Sequence, residues 1–308
     1  MGHDHGHGAN HGHGVQHRSR LLLVLALSLT VLVVEAVAAW ITGSLALLAD
    51  AGHMLGDTFG VAMAVVAISV AQVGGRPGSR RTFGYHRTEI LAAALNGLVL
   101  LGLSAWVAFH AIKRFGDAPK VDGALMIVAG CIGLFINVIG ILLLRAGAKE
   151  SLNVRGAYLE VVGDALGSFA VIVAAILIST LGWYLADPVA SLLIAAMIVP
   201  RALSLLHDVS QVLLEGTPKD VDLGELRAHI KGMDGVQDVH DLHVWTITSG
   251  MPIMSAHVVV EDSVTDMGQA EVVLDRLRSC LSEHFDVEHS TFQIEPQGHV
   301  DKEQHLHH

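Results

Sequence analysis

His53 and Asp57 stand four residues apart in Ala49-Asp50-Ala51-Gly52-His53-Met54-Leu55-Gly56-Asp57, and Glu160 and Asp164 stand four apart in Leu159-Glu160-Val161-Val162-Gly163-Asp164. Residues i and i+4 share one face of an α-helix, so each pair presents two metal-ligating side chains together. One imidazole and three carboxylates suit a four-coordinate divalent cation such as zinc. A glycine precedes the second member of each pair, and the two segments read as a weak internal repeat, His/Glu-x-x-Gly-Asp-x-x-Gly.

Both pairs sit in long apolar runs, where a carboxylate at mid-membrane depth costs at least about 2.5 kcal/mol. A cation held between the two helices would offset that cost. The competing reading has the carboxylates protonated or paired with Lys or Arg from other helices. No Lys or Arg lies deep within an apolar run, so the cation site is preferred. Asp50, three residues before His53, is read either as a supporting or pathway group or as a hydrogen-bonding group near a helix N-terminus. Glu35, Asn96 and Asn137 are lone polar residues in apolar runs and read as interhelical hydrogen-bonding groups.

Crossing about 30 Å of hydrocarbon takes roughly 20 helical residues. Six runs qualify: 21–41, 44–73, 88–112, 123–146, 156–181 and 187–206. With three spans per half, the halves insert with opposite topology, which makes the second and fifth spans antiparallel. Basic residues collect before the first span (Arg18, Arg20), in the second loop (Arg76, Arg80, Arg81, Arg87) and in the fourth (Arg145, Lys149, Arg155). Both termini are therefore expected in the cytoplasm. A signal-peptide reading of 21–34, with Ala36-Val37-Ala38 as its cleavage site, is set aside because five further spans follow and Glu35 precedes the site.

After Leu214 the pattern changes to short alternating runs with charges. Asp222 and Glu225 fit a capping arrangement ahead of a stripe of Leu223, Leu226 and Ile230. Residues 236–248 and 252–261 read as a hairpin turning at Ser249-Gly250. A helix with Ala270, Val273, Leu274, Leu277 and Leu281 on one face follows, then a strand over 290–295. The order is αββαβ, a small α+β domain with an open sheet backed by two helices. The domains expected are a His-rich arm (1–20), a six-helix transmembrane α-bundle (21–207), the α+β domain (208–296) and a His-containing tail (297–308).

The composition excludes an ordinary soluble enzyme. The 308 residues are 52% hydrophobic and only 16% charged, and the net charge of −11 argues against a nucleic-acid partner. Twenty histidines are too many for a chance core population. His3, His5, His7, His11, His13 and His17 alternate with small residues at the start, and His299, His305, His307 and His308 end the chain. Such tracts bind borderline divalent ions loosely. Asp4 and Asn10 favour a native N-terminal tract over an added tag, while the C-terminal group is open between the two. In the α+β domain, His240, His257, His289 and Glu295 lie on or beside the strands and form a second candidate metal site if pairing gathers them. Cys131 and Cys280 are too few and too differently placed for a disulfide framework.

The whole chain resembles the cation diffusion facilitator transporters, particularly the bacterial zinc/cobalt/cadmium efflux branch. The resemblance rests on Ser44-Leu45-Ala46-Leu47-Leu48-Ala49-Asp50-Ala51-Gly52-His53-Met54, Phe83-Gly84-Tyr85-His86-Arg87-Thr88-Glu89, Leu213-Leu214-Glu215-Gly216-Thr217-Pro218 and Val239-His240-Asp241-Leu242-His243-Val244-Trp245. It implies a homodimeric cation/proton antiporter of the bacterial inner membrane. Its cytoplasmic domain would be ferredoxin-like, dimerise and bind regulatory metal, and His53, Asp57 and Asp164 would belong to the transport site. One position departs: zinc-transporting relatives commonly have His where this chain has Glu160, and manganese-type relatives tend to have Asp at the paired positions.

The leading function is efflux of a divalent cation, zinc first, with cobalt and cadmium beside it and broader manganese or iron transport as an alternative. The metal is substrate and regulator rather than prosthetic group, and protons and membrane lipid complete the partners. A membrane-tethered metal sensor or storage protein is the second class. A sensor has no need of charge at mid-bilayer, which favours transport. An intramembrane metalloprotease is discounted for want of His-Glu-x-x-His.

Overall fold

The computed structural model describes residues 11–71, 81–146, 152–248, 250–285 and 289–299. His3, His5, His7, His305, His307 and His308 lie outside these residues, as do Arg76, Arg80, Lys149 and Ser249 and the side chains of His11, His13 and His17. The chain divides into two compact units, residues 1–65 with 93–206 and residues 66–92 with 207–308.

Helices α1 (His11–Thr42), α2 (Leu45–Ala71), α3 (Arg87–Arg114), α4 (Gly123–Leu144), α5 (Leu152–Leu181) and α6 (Ala186–Leu213) follow the six expected runs. The largest differences in bounds are at the start of α1 and the end of α6. Helix α1 begins at His11, inside the stretch read as an arm, and α6 runs on past residue 206 to Leu213. Among the described residues, five helical segments, those in α1, α3, α4, α5 and α6, are long and apolar enough to cross a membrane. The first unit buries Ala38, Ala46, Leu47, Met126, Val171 and Ile194 in one core. Trp40, Phe109, Phe135 and Phe169 stay exposed on its surface, an arrangement that water penalises and lipid tails match.

The start of α2 is fixed by a buried polar knot. Ser44 Oγ accepts from the Leu47 amide at 3.2 Å, a helix-capping bond, and itself donates to Asp187 at 2.5 Å. Asp187 lies in the first turn of α6 and is fully buried. It also accepts from the amides of Leu45 and Ala46 at 3.0 and 3.1 Å and from Arg114 Nη1 at 3.1 Å. A carboxylate at a helix N-terminus meets the positive end of the backbone dipoles, so this contact sets where α2 begins relative to α3 and α6.

In the second unit, α7 (Leu223–Lys231), β1 (Val236–Thr246), β2 (Pro252–Val260), α8 (Met267–His284) and β3 (His289–Glu295) follow in the expected αββαβ order. Asp222 caps α7, accepting from the amides of Gly224 and Glu225. The sheet order is β1-β2-β3, with β1 antiparallel and β3 parallel to β2. Leu226 and Ile230 from α7 meet Val273, Leu277 and Leu281 from α8 and Val239, Met254 and Val258 from the sheet in a single core. The end of α6 belongs to this unit and closes with Gly216 N donating to Gln211 O at 2.8 Å while Glu215 takes a left-handed φ of 58°. Arg87 Nη2 reaches the Glu215 carboxylate at 2.9 Å, and Thr248 donates to Glu89.

Candidate metal sites

The i,i+4 spacing on α2 and the placement of α5 bring three of the four intramembrane candidates together. His53 Nε2 is 3.7 Å from Asp57 Oδ2 and 3.7 Å from Asp164 Oδ1. One ligand atom from each of the three lies within 4.8 Å of the others, close enough for a single divalent cation to bridge them after small side-chain movements. His53 and Asp164 are buried, and His53 Nδ1 and Asp164 Oδ1 have no hydrogen-bond partner among the described residues. Orphaned polar atoms at this depth are costly, and a bound cation would satisfy the Asp164 oxygen directly.

Glu160 behaves differently. Its carboxylate turns to Arg201 Nη2, and Arg201 Nη1 also donates to Asp57 Oδ2 at 3.1 Å. The sequence reading, that no Lys or Arg lies deep within an apolar run, sets pairing with a basic residue aside; the structure shows that pairing for Asp57 and Glu160. Arg201 stands near the end of the expected sixth run, directly after Pro200, but α6 continues for three further turns beyond it. The long side chain then reaches back to the acidic pairs. The Glu160 side chain is 44% exposed and that of Arg201 40%, against 8% for Asp164. The cluster therefore grades from a buried His53/Asp164 end to an open Glu160/Arg201 end.

A second set of carboxylates lies beside the first. Glu35 and Asp50 are buried, and Ser168 Oγ donates to Glu35 at 3.4 Å. A β-carbon at Gly133 would come 2.6 Å from Glu35 Oε1, and one at Gly167 would come 2.4 Å from Asp50 Oδ1. The two glycines thus make the room these carboxylates occupy. The start of α2 is held by Ser44 and Asp187, and Asp50 Oδ2 is buried without a partner among the described residues. Glu35 makes the interhelical bond expected of it. Asn96 Oδ1 and Asn137 Nδ2 are buried without a partner among the described residues.

Strand pairing builds the second cluster. His240 and His257 face each other across β1 and β2, with ring centroids 5.0 Å apart. Glu295, buried at the end of β3, can accept from both imidazoles, at 3.0 Å from His240 Nε2 and 2.7 Å from His257 Nδ1. The ladder between β1 and β2 shifts register between His240 and His243, and Asp241 in that shift has a left-handed φ of 45°. A bulge of this kind re-aims side chains, and Asp241 Oδ2 comes 3.7 Å from His240 Nδ1. One ligand atom from each of His240, Asp241 and His257 lies within 4.8 Å of the others.

His289 does not join them. Parallel pairing sets His289 against Ile253 and Glu295 against Val259, so the two occupy opposite ends of β3, about 20 Å apart at strand rise. His289 instead packs edge-on against Phe83 at 5.8 Å. Asp241, Arg201 and Asp187 were not singled out in the sequence. The proximity of Asp241 to His240 is available from adjacency alone, whereas the partners of the Arg201 and Asp187 side chains lie from 41 to 144 positions away.

The family model of the cation efflux transmembrane domain matches residues 21–214, and that of the cation efflux protein cytoplasmic domain matches residues 218–297. The chain belongs to the cation efflux family of multi-pass integral membrane transporters. It is 40% identical to the "Cadmium, cobalt and zinc/H(+)-K(+) antiporter" of Bacillus subtilis (strain 168) over 87% of this chain and 86% of that protein. It is 42% identical to the "Metal cation efflux system protein CzcD" of Cupriavidus metallidurans over 90% and 87%. The "Zinc transporter ZitB" of Escherichia coli (strain K12) is 38% identical over 86% and 83%.

Proposed function

We propose that this protein exports divalent cations from the cytoplasm in exchange for protons, with zinc as the leading substrate and cobalt and cadmium beside it. The observation that carries the reading is the convergence of His53, Asp57 and Asp164 within the matched transmembrane region. The names of the relatives, which cite zinc, cadmium and cobalt, support the same substrates. Metal ligands must be deprotonated to bind, so protons entering the emptied site are the natural counter-cargo.

In this reading α2 is the sixth membrane span. Its buried Asp50, His53 and half-buried Asp57 lower its apolar character where transport needs charge. Both termini face the cytoplasm of a bacterial inner membrane, and lipid covers the exposed aromatic faces of the bundle. The α+β domain is ferredoxin-like, pairs with a second copy of the chain, and binds regulatory metal through His240, His257 and Glu295 with Asp241 beside them. His289 is left out of that site and Glu160 out of the three-residue core of the transport site.

The test is flux of zinc, cobalt, cadmium, iron and manganese into proteoliposomes containing the purified full chain, with internal pH followed in parallel. Zinc uptake with opposite proton movement supports the reading. Metal binding without flux of any of the five would favour the sensor class instead.

A further inference from the structure

Arg201 is the basic residue that the structure brings to the carboxylates of the membrane cluster. It bridges two helices' carboxylates with one guanidinium, Nη1 on Asp57 Oδ2 at 3.1 Å and Nη2 on Glu160. Glu160 is thereby drawn to the open end of the cluster, outside the group formed by His53, Asp57 and Asp164. A planar fork of this kind fixes two carboxylates at once, which a lysine ammonium does with far less geometric control.

We propose that Arg201 is a specificity-determining residue: it holds Glu160 out of the ligand set, so that a cation meets one imidazole and two aspartates rather than one imidazole and three carboxylates. The inference rests on the transport reading above. Its chemistry follows from charge and hardness. With Glu160 neutralised by the guanidinium, Asp57 and Asp164 supply two negative charges, equal to the charge of one divalent ion. A third free carboxylate would add a hard oxygen donor, favouring manganese over zinc. It would also hold every cation more tightly, and a transport site must bind weakly enough to release.

The experiment measures initial rates against zinc and manganese concentration in proteoliposomes for wild type, Arg201→Gln, Arg201→Lys, Glu160→Gln and the Arg201→Gln/Glu160→Gln pair. Arg201→Gln frees Glu160, so the apparent KM for zinc falls about fivefold and the manganese-to-zinc rate ratio rises by a similar factor, the scale of a partly exposed ion pair. Arg201→Lys, which keeps the charge, shifts both in the same direction by less and carries the test if the glutamine variant fails to insert. Glu160→Gln leaves the guanidinium to Asp57 alone, so the KM for zinc rises. The double variant returns the manganese-to-zinc ratio to the wild-type value. Single variants that both raise KM and leave the ratio unchanged would overturn the inference alone, showing Arg201 to be a packing element. Wild-type protein that moves neither cation would overturn the transport reading and this inference with it.

Discussion

The two histidine–carboxylate clusters of this chain are built from similar side chains and differ in how far those side chains already satisfy one another. In the α+β domain Glu295 is within hydrogen-bonding distance of both His240 and His257. In the membrane unit His53 stands 3.7 Å from each of its carboxylates, too far for a hydrogen bond, and orphaned polar atoms remain at His53 Nδ1 and Asp164 Oδ1. A cluster satisfied by its own members is suited to retention and structural response. One that leaves charge uncompensated in an apolar setting gains most from a cation and gives it up when protons arrive. The contrast fits the proposed passage of ions through the membrane cluster and regulatory binding at the cytoplasmic one.

The sharpest way to break that contrast is to remove a membrane carboxylate. Asp57→Ala and Asp164→Ala are each expected to abolish metal flux while the protein still inserts and dimerises, because little water is present to fill the lost coordination position. Wild-type flux from either purified variant would remove that aspartate from the transport site. The corresponding change in the α+β domain, Glu295→Gln, is expected to weaken zinc binding by the tail from residue 215 to 299 expressed alone. That domain has a core of its own from Leu226, Val258, Leu277 and Leu281. Calorimetry on the isolated domain checks both parts, and unchanged zinc binding in the variant would exclude Glu295 as a ligand.

Smaller effects are expected from the N-terminal histidines. Deleting residues 1–17 is expected to lower uptake at low zinc concentration and leave maximal flux largely intact, since these residues precede the first expected span and can raise local ion supply without forming the transport site. Complete loss of flux in a well-inserted deletion would make the arm part of the mechanism. The smallest effect concerns Asp238 in the α+β domain. Its carboxyl is held below the usual carboxylate range, chiefly by the Lys231 ammonium 3.0 Å away, with the Val239 amide assisting at 2.7 Å. A depressed carboxyl stabilises the fold above its unfolded value of about 3.9, and the contribution disappears as pH falls through its lower folded value. Asp238→Asn should therefore lower the melting temperature of the isolated domain slightly at pH 7, by no more than an exposed pair provides, and not at all at pH 2. An equal loss at both pH values would show that the charge is not the cause.

What could be read in the sequence follows the range of the interactions. The i,i+4 pairs, the apolar runs and the capping of α7 by Asp222 are local, and each appears where its spacing placed it. Six apolar runs are legible, and a helix stands in each of them. Arg201 was passed over because hydropathy ends the sixth run near it, whereas the helix itself continues to Leu213. His289 and Glu295 flank one strand, and sheet pairing leaves them at its opposite ends. Asp187 carries no sequence signal of its long-range role, since Ser44 and Arg114 reach it only after three helices have packed.

The central claim is that ions pass through the membrane cluster and not through the cytoplasmic one. Its most direct test compares zinc uptake and internal pH in proteoliposomes carrying either His53→Ala or the pair His240→Ala and His257→Ala. The account predicts no zinc movement in the first, and in the second zinc uptake with opposite proton flow at most of the wild-type maximal rate. Zinc uptake that survives the loss of His53 but vanishes with His240 and His257 would contradict it.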